Sequence, residues 1–145
     1  MRPKTTWVLL ANSRTAQAVA CKRAFGKLEI EPQMGWHAKP ELEYADRQGV
    51  SHGSHSPSRR RLAQHDSTGT ADLEFAKAIV ADLMEAHREK LFNRLVVTAS
   101  HHMLGALRTA QSDEMKALVT AEKAVDLTQA PRDKLEEHIA ELIAP

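Results

Sequence analysis

A single cysteine, Cys21, stands in the 145 residues of this chain. One thiol cannot build an internal disulfide or a cysteine zinc site, and it fits a reducing compartment. Aromatic residues make up only 4%, which leaves few rings on which nucleobases could stack. Charge of one sign is not in excess: Lys plus Arg number 20 and Asp plus Glu 19. No global field therefore draws the protein onto nucleic acid or membrane, and any such partner must be met by a local patch. Long apolar runs are missing as well. Behind the basic start Met1-Arg2-Pro3-Lys4, the run Trp7–Ala11 is interrupted by Asn12-Ser13-Arg14, too short for a signal-peptide core or a membrane span. The expectation is a cytoplasmic protein with no membrane partner. No Gly-x-Ser-x-Gly elbow, P-loop or Rossmann glycine fingerprint occurs, so neither a familiar nucleophile nor a cofactor is implied.

What is present reads as one α/β domain. The length suits a single core. Trp7–Ala11 is continuously apolar, the pattern of a strand covered on both faces. After the turn residues Asn12-Ser13-Arg14, the stretch Thr15–Lys22 alternates, with Gln17, Val19 and Cys21 on one face and Ala16, Ala18 and Ala20 on the other. Its alanines lower strand propensity, and the spacing alone is also compatible with helix. Beyond Gly26, Lys27–Glu31 alternates as a half-buried strand, completing an antiparallel meander.

From about Pro32 to Thr70 no period persists, and Pro, Gly, Ser and His crowd together. A long loop over roughly 32–69 is expected there, a length that in a compact domain tends to be functional or disordered. Thr70 is the expected N-cap of a helix bearing Phe75, Ala76, Ile79, Val80, Leu83 and Met84 at helical spacing, with Asp72 and Glu74 in its first turn. Leu95–Ala99 reads as a buried parallel strand, and Ser100 as the cap of a helix carrying Met103, Leu104 and Leu107. A weaker strand is expected near Ala117–Ala121, then a last helix with Pro131 at its first position and Leu135, Ile139 and Leu142 on one face. A meander followed by βαβ crossovers predicts a mixed sheet with helices on its faces.

Several of these segments also resemble a known family. Trp7-Val8-Leu9-Leu10-Ala11-Asn12-Ser13-Arg14 is similar to its opening strand and turn. Asn93–Ala99 with Leu104-Gly105-Ala106-Leu107-Arg108 is similar to its central strand and helix, and Asp126-Leu127-Thr128 ahead of Pro131 to its closing segment. The resemblance is to the host attachment proteins, also described as a bacterial archaeo-eukaryotic release factor family. It implies an RNase H-like α/β fold related to the central domain of peptide-chain release factors, whose Gly-Gly-Gln loop promotes hydrolysis of peptidyl-tRNA. Here the corresponding stretch, Ser51 to Arg61, has no adjacent glycines, and Gln48 and Gln64 lie on its flanks. Release activity does not carry over, nor does RNase H-type acidic catalysis.

The chemistry-bearing residues point to binding more than to catalysis. Arg47, Arg59, Arg60 and Arg61 form a basic stretch with no acid between Arg47 and Asp66. Guanidinium forks match phosphate oxygens, so contact with ribosome or tRNA is the leading expectation. His52, His55 and His65 with Asp66 have ligand chemistry, but their Gly, Ser and Pro neighbours give no rigid spacing, and no metal is assigned. Ser100 and His101, at the carboxyl end of the Leu95–Ala99 strand and the start of a helix, are a candidate anion pocket. Cys21 is expected to pack as a small hydrophobe, and Gly105 to let its helix approach the sheet. Two alternatives stand beside the phosphate-binding reading: a cytoplasmic protein supporting host attachment indirectly, and a hydrolase using the histidine-bearing loop.

Overall fold

Residues that are apolar without interruption must lie in the middle of a sheet covered on both sides, and Trp7–Ala11 does. In a computed structural model, which describes residues 5–39 and 57–143 (backbone only for Ala24 and for 57–68), Thr6–Ala11 forms β1 with every residue buried. β2 (Thr15–Ala24) pairs with it antiparallel and β4 (Arg94–Ala99) pairs with it parallel on the other side. β3 (Lys27–His37) adds antiparallel to β2, and β5 (Val119–Ala124) adds parallel to β4. The five-stranded order is β3-β2-β1-β4-β5. Between strands run α1 (Pro57–Arg88), α2 (His101–Ala110) and α3 (Asp113–Leu118), and α4 (Arg132–Ile143) closes the chain. The expected mixed α/β sheet with helices on its faces is the architecture found.

Alternation divides the core in two. Trp7, Leu9, Ala11, Ala16, Ala18, Leu95, Val97 and Ala99 face α1 and α2. Val8, Leu10, Val19, Cys21 and Val96 face the other way, toward Leu127 and Ile139 of the closing segment. The alanines of β2 thus have a structural use: short side chains let the long helix α1 lie close to the sheet. Trp7 stacks on Phe92, centroids 4.7 Å apart, filling the space below the end of α1. Thr98, a hydroxyl in an otherwise apolar strand, is fully buried and donates to the Leu9 carbonyl at 2.9 Å, which removes the cost of an unpaired polar group.

The third strand is longer than its sequence suggests. Alternation predicts an end at Glu31, and the strand continues through Pro32 to His37. Proline is tolerated because β3 is an edge strand, where the missing N–H leaves no ladder bond unmade. Ala18 pairs with Met34 and Val19 with Pro32, so Gln33 has no partner and forms a bulge. One extra residue reverses the facing of everything after it. Leu28 and Ile30 therefore pack against the α4 side, whereas Met34 and Trp36, an even number of residues away, pack against the α1 side. Trp36 is fixed there by its Nε1, which donates to Asp82 Oδ2 of α1 at 2.8 Å.

Three further boundaries differ from expectation. α1 begins at Pro57 rather than after Thr70, which lies inside it. Pro57 suits a first helical position, and Arg59 to Gln64 are good helix formers; their lack of an apolar stripe hides this from periodicity. The strand expected at Ala117–Ala121 is the end of α3 followed by β5, because Ser112 caps α3 by accepting from the Met115 amide. Ser100 precedes α2 but makes no side-chain cap bond. The last helix begins at Arg132, and the Leu135 amide donates to the Pro131 carbonyl at 2.9 Å, so Pro131 is the residue just before the first helical position expected of it.

Deleting Gln33 removes the bulge and turns Trp36 away from α1. Chemical denaturation should show a loss of about 3–5 kcal/mol, the range for losing a large buried aromatic. Gln33→Ala, which keeps the register, should stay within about 0.5 kcal/mol of wild type.

Candidate functional site at the carboxyl edge of the sheet

β1, β4 and β5 run parallel, so their carboxyl ends share one edge, the place where open α/β sheets put their ligands. α2 leaves from this edge, and α1 enters at it. Asn12, the first residue past β1, organises the local backbone. Its Oδ1 accepts from the amides of Arg14 and Thr15, both at 2.8 Å, a turn in which the side chain stands in for backbone. Its Nδ2 donates to Asp126 Oδ2 at 3.1 Å and to Thr128 Oγ1 at 3.0 Å. Thr128 in turn donates to Asp126 Oδ1 from its hydroxyl at 2.6 Å and its amide at 3.0 Å. The segment after β5 is thereby tied across to the end of β1. Partial burial of Asp126 opposes its ionisation, but the bonds from Thr128 and Asn12 outweigh this and hold its carboxyl below the ordinary value.

Sequence reasoning does not single out this polar staple as a site, although Asn12 and Asp126-Leu127-Thr128 both carry the family resemblance. The usable signal is Asn followed by Ser-Arg at a strand end, a side-chain-closed turn. Ser100 is half-buried and His101 is exposed, with the Ser100 amide committed to the Ala11 carbonyl at 3.0 Å. The nearby concavity is instead a shallow groove of about 270 Å³ between α1 and α2, lined by Gly69, Asp72, Leu73, His102, Gly105 and Thr109 among others. The buried carboxyl-bearing residue Asp72 makes this groove a poor anion pocket, and neither Ser100 nor His101 lines it. Gly105 is exposed, and a Cβ there would meet nothing within 4 Å. The expected close approach to the sheet is therefore absent: the glycine faces the open groove.

The groove also fixes how α1 lies. Gly69 and Asp72 stand level with His102 and Gly105 in the first turns of α2. The twelve residues 57–68 of α1 continue beyond that level, about 18 Å at helical rise. Arg59, Arg60 and Arg61 fall within the first five residues of this extension, whose first turn has no acidic residue. They belong to a helix, not to the loop expected from sequence. Arg47, His52 and His55 lie outside the described residues. Arg14, His37 and Lys39 are exposed near the same edge, where the Ala38 amide donates to the Arg14 carbonyl. Among the described residues no group of three or more His, Cys, Asp or Glu side chains converges as a metal site, and no helix is long and apolar enough to cross a membrane. Cys21 is buried, and that burial pushes its thiol up to about 12, leaving it without thiolate chemistry at neutral pH.

Compared with known proteins, residues 7–139 match the family described as "protein required for attachment to host cells". The chain belongs to this family. No curated protein matches it by sequence. Among solved structures it is similar to the Aquifex aeolicus Ppx/GppA phosphatase, type II variant, at 14% identity and a TM-score of 0.36, over 83% of this chain and 36% of that one. It is also similar to a chain of the PilM–PilN type IV pilus biogenesis complex, at 13% identity and a TM-score of 0.41, over 92% of this chain and 41% of that one. The host attachment chain thus spans well under half the length of these structural neighbours.

Two outcomes follow from this geometry. Gly105→Ala should raise stability by about 0.5–1 kcal/mol in urea denaturation, since it relieves helix entropy without a clash. Asp126, whose folded carboxyl titrates below its unfolded value, adds stability at neutral pH. That contribution is lost as pH falls from the unfolded value through the lower folded one. Asp126→Asn should therefore lower the urea midpoint at pH 7, and its difference from wild type should shrink as the solution is acidified through the carboxylate range.

Proposed function

We propose that this host attachment family protein is a non-catalytic binding module. It grips a phosphate-rich RNA partner, ribosome or tRNA, with the basic start of α1, and supports attachment indirectly from the cytoplasm. One observation carries the reading: α1 runs about three turns past the level at which it packs on α2, and its first five residues include three arginines and no acid. A helix amino end is already positive, so stacking guanidinium groups there costs stability in the isolated protein. A polyanion offsets that cost, because the free amides and the arginine forks both favour phosphate oxygens. Arg47 adds a fourth cation in the preceding segment.

The release-factor relationship enters through the resemblance of the strand and turn motifs, and it suggests which RNA to try first. The Gly-Gly-Gln release motif is missing, so the role proposed is recognition without peptidyl-tRNA hydrolysis. The family's description fits this reading if attachment depends on what such a module regulates inside the bacterium.

Arg59→Glu/Arg60→Glu/Arg61→Glu tests the idea cleanly, because glutamates in a first helical turn favour the helix. Wild type should co-sediment with ribosomes or retain tRNA on a filter at low salt, and the triple variant should not. The slope of log K against log salt should fall in magnitude by about 2, at roughly 0.7 for each single-strand phosphate that an arginine no longer neutralises. A wild type that never binds, or a triple variant that binds equally, rules the mechanism out.

A further inference from the structure

The opposite edge of the sheet, at the amino ends of β1 and β4, carries a second feature that the carboxyl-edge reading leaves unused. β2 and β3 meet there in the turn Phe25-Gly26, and α1 meets β4 there through Glu89–Asn93. The register fixes this: Thr6 pairs with both Cys21 and Arg94. Among the described residues, the exposed large hydrophobics are Phe25 at 104% and Leu91 at 47%. The non-glycine residues with positive φ are Phe25 at 53° and Lys90 at 65°. Both pairs fall on these same two loops.

A bulky residue in the left-handed region is strained, and Asn or Gly would hold the same turn without it. Such outliers point to function when the exposed group has something to do. Around the two apolar tips stand Lys22, Arg23, Lys27 and Lys90, all exposed. Against them are the exposed acids Glu29, which reaches Lys22 only at 3.9 Å, and Glu89. From Thr15 to Leu28 the chain contains no acid at all.

We infer that this edge docks on an anionic lipid surface, with Phe25 and Leu91 entering the headgroup layer and the four cations meeting lipid phosphates. Both apolar residues sit on convex turns. A bilayer accepts a protruding ring without a preformed pocket, whereas a protein partner would have to supply one. Lysine and arginine stems lie along apolar surroundings while their charges reach the phosphates. Juxtaposed basic residues then add affinity for anionic leaflets in a salt-dependent way. The near-zero net charge is no obstacle, since the attraction is local. The site is at the far end of the molecule from Arg59–Arg61, so a lipid surface and a polyanion could be held together.

The test is partition of the full chain onto vesicles of phosphatidylcholine with or without phosphatidylglycerol. Wild type should be retained on the anionic vesicles, released by salt, and ignored by the neutral ones. Phe25→Asn, which suits the turn and so keeps the fold, should weaken retention at least fivefold. Lys22→Ala/Arg23→Ala/Lys27→Ala should weaken it on the order of 100-fold, at about fivefold per basic residue. Arg59→Glu/Arg60→Glu/Arg61→Glu should leave it unchanged. The inference is overturned if anionic vesicles do not retain wild type, a result that would leave the tip to a pocketed protein partner. It is overturned equally if Phe25→Asn binds as wild type does, or if the α1 arginine variant is the one that lets go.

Discussion

A central strand with no polar side to show to water sets the terms for the rest of this molecule. β1 is buried along its whole length, hydrogen-bonded on both sides and covered on both faces. Such a strand is stable only if two layers are supplied, and the chain supplies them unequally. One face receives α1 and α2, whose Phe75, Ile79, Leu83, Met103 and Leu107 form a broad apolar cover. Among the described residues, the other receives the twelve-residue α4, with Ile139 fully buried and Leu135 and Leu142 beside it. That thinner layer is pinned by polar contacts at its margins: Arg132 Nη2 donates to the Ile30 carbonyl at 3.2 Å, and the Asn12–Asp126–Thr128 staple holds the segment leading into it. Partly exposed hydrogen bonds of this kind stabilise modestly each. Their main effect is to fix where α4 crosses the sheet.

What can be read in advance follows from which patterns burial writes into sequence. The two-faced strand at Trp7–Ala11, the split of alanines from Val19 and Cys21 on β2, and the apolar stripe of α1 from Phe75 to Met84 are all legible, because each residue there touches the core. The start of α1 is not, since residues 57–68 carry no apolar stripe and their Ser, Arg and His content looks like loop. The extension of β3 is hidden for another reason. Proline and glycine ordinarily end strands, and only tertiary context reveals an edge position and a bulge at which both are tolerated. Trp36 shows the consequence, since strict alternation from Ile30 would place it on the wrong face of the sheet.

The candidate sites divide in the same way. Arg59, Arg60 and Arg61 are visible as a charge run, but their meaning changes once they open a helix. Ser100 and His101 are plausible from the topology rule for parallel strands alone. In the folded protein the Ser100 amide is already bonded to Ala11, and the adjacent groove holds Asp72. A rule about where ligands bind in a fold does not specify which side chains reach them.

Phe25 is invisible for the opposite reason. A hairpin residue next to glycine reads as turn, and an aromatic residue reads as core, so neither habit flags an aromatic at a turn. Only the fold shows that Phe25 and Leu91, far apart in the chain, emerge from the same edge with their cations around them. That edge and the carboxyl edge are separated by the length of the sheet. If each edge meets its own anionic surface, the strands between them set a fixed spacing. The protein then acts as a short spacer, and its near-neutral total charge leaves each attraction to its local patch rather than to a global field.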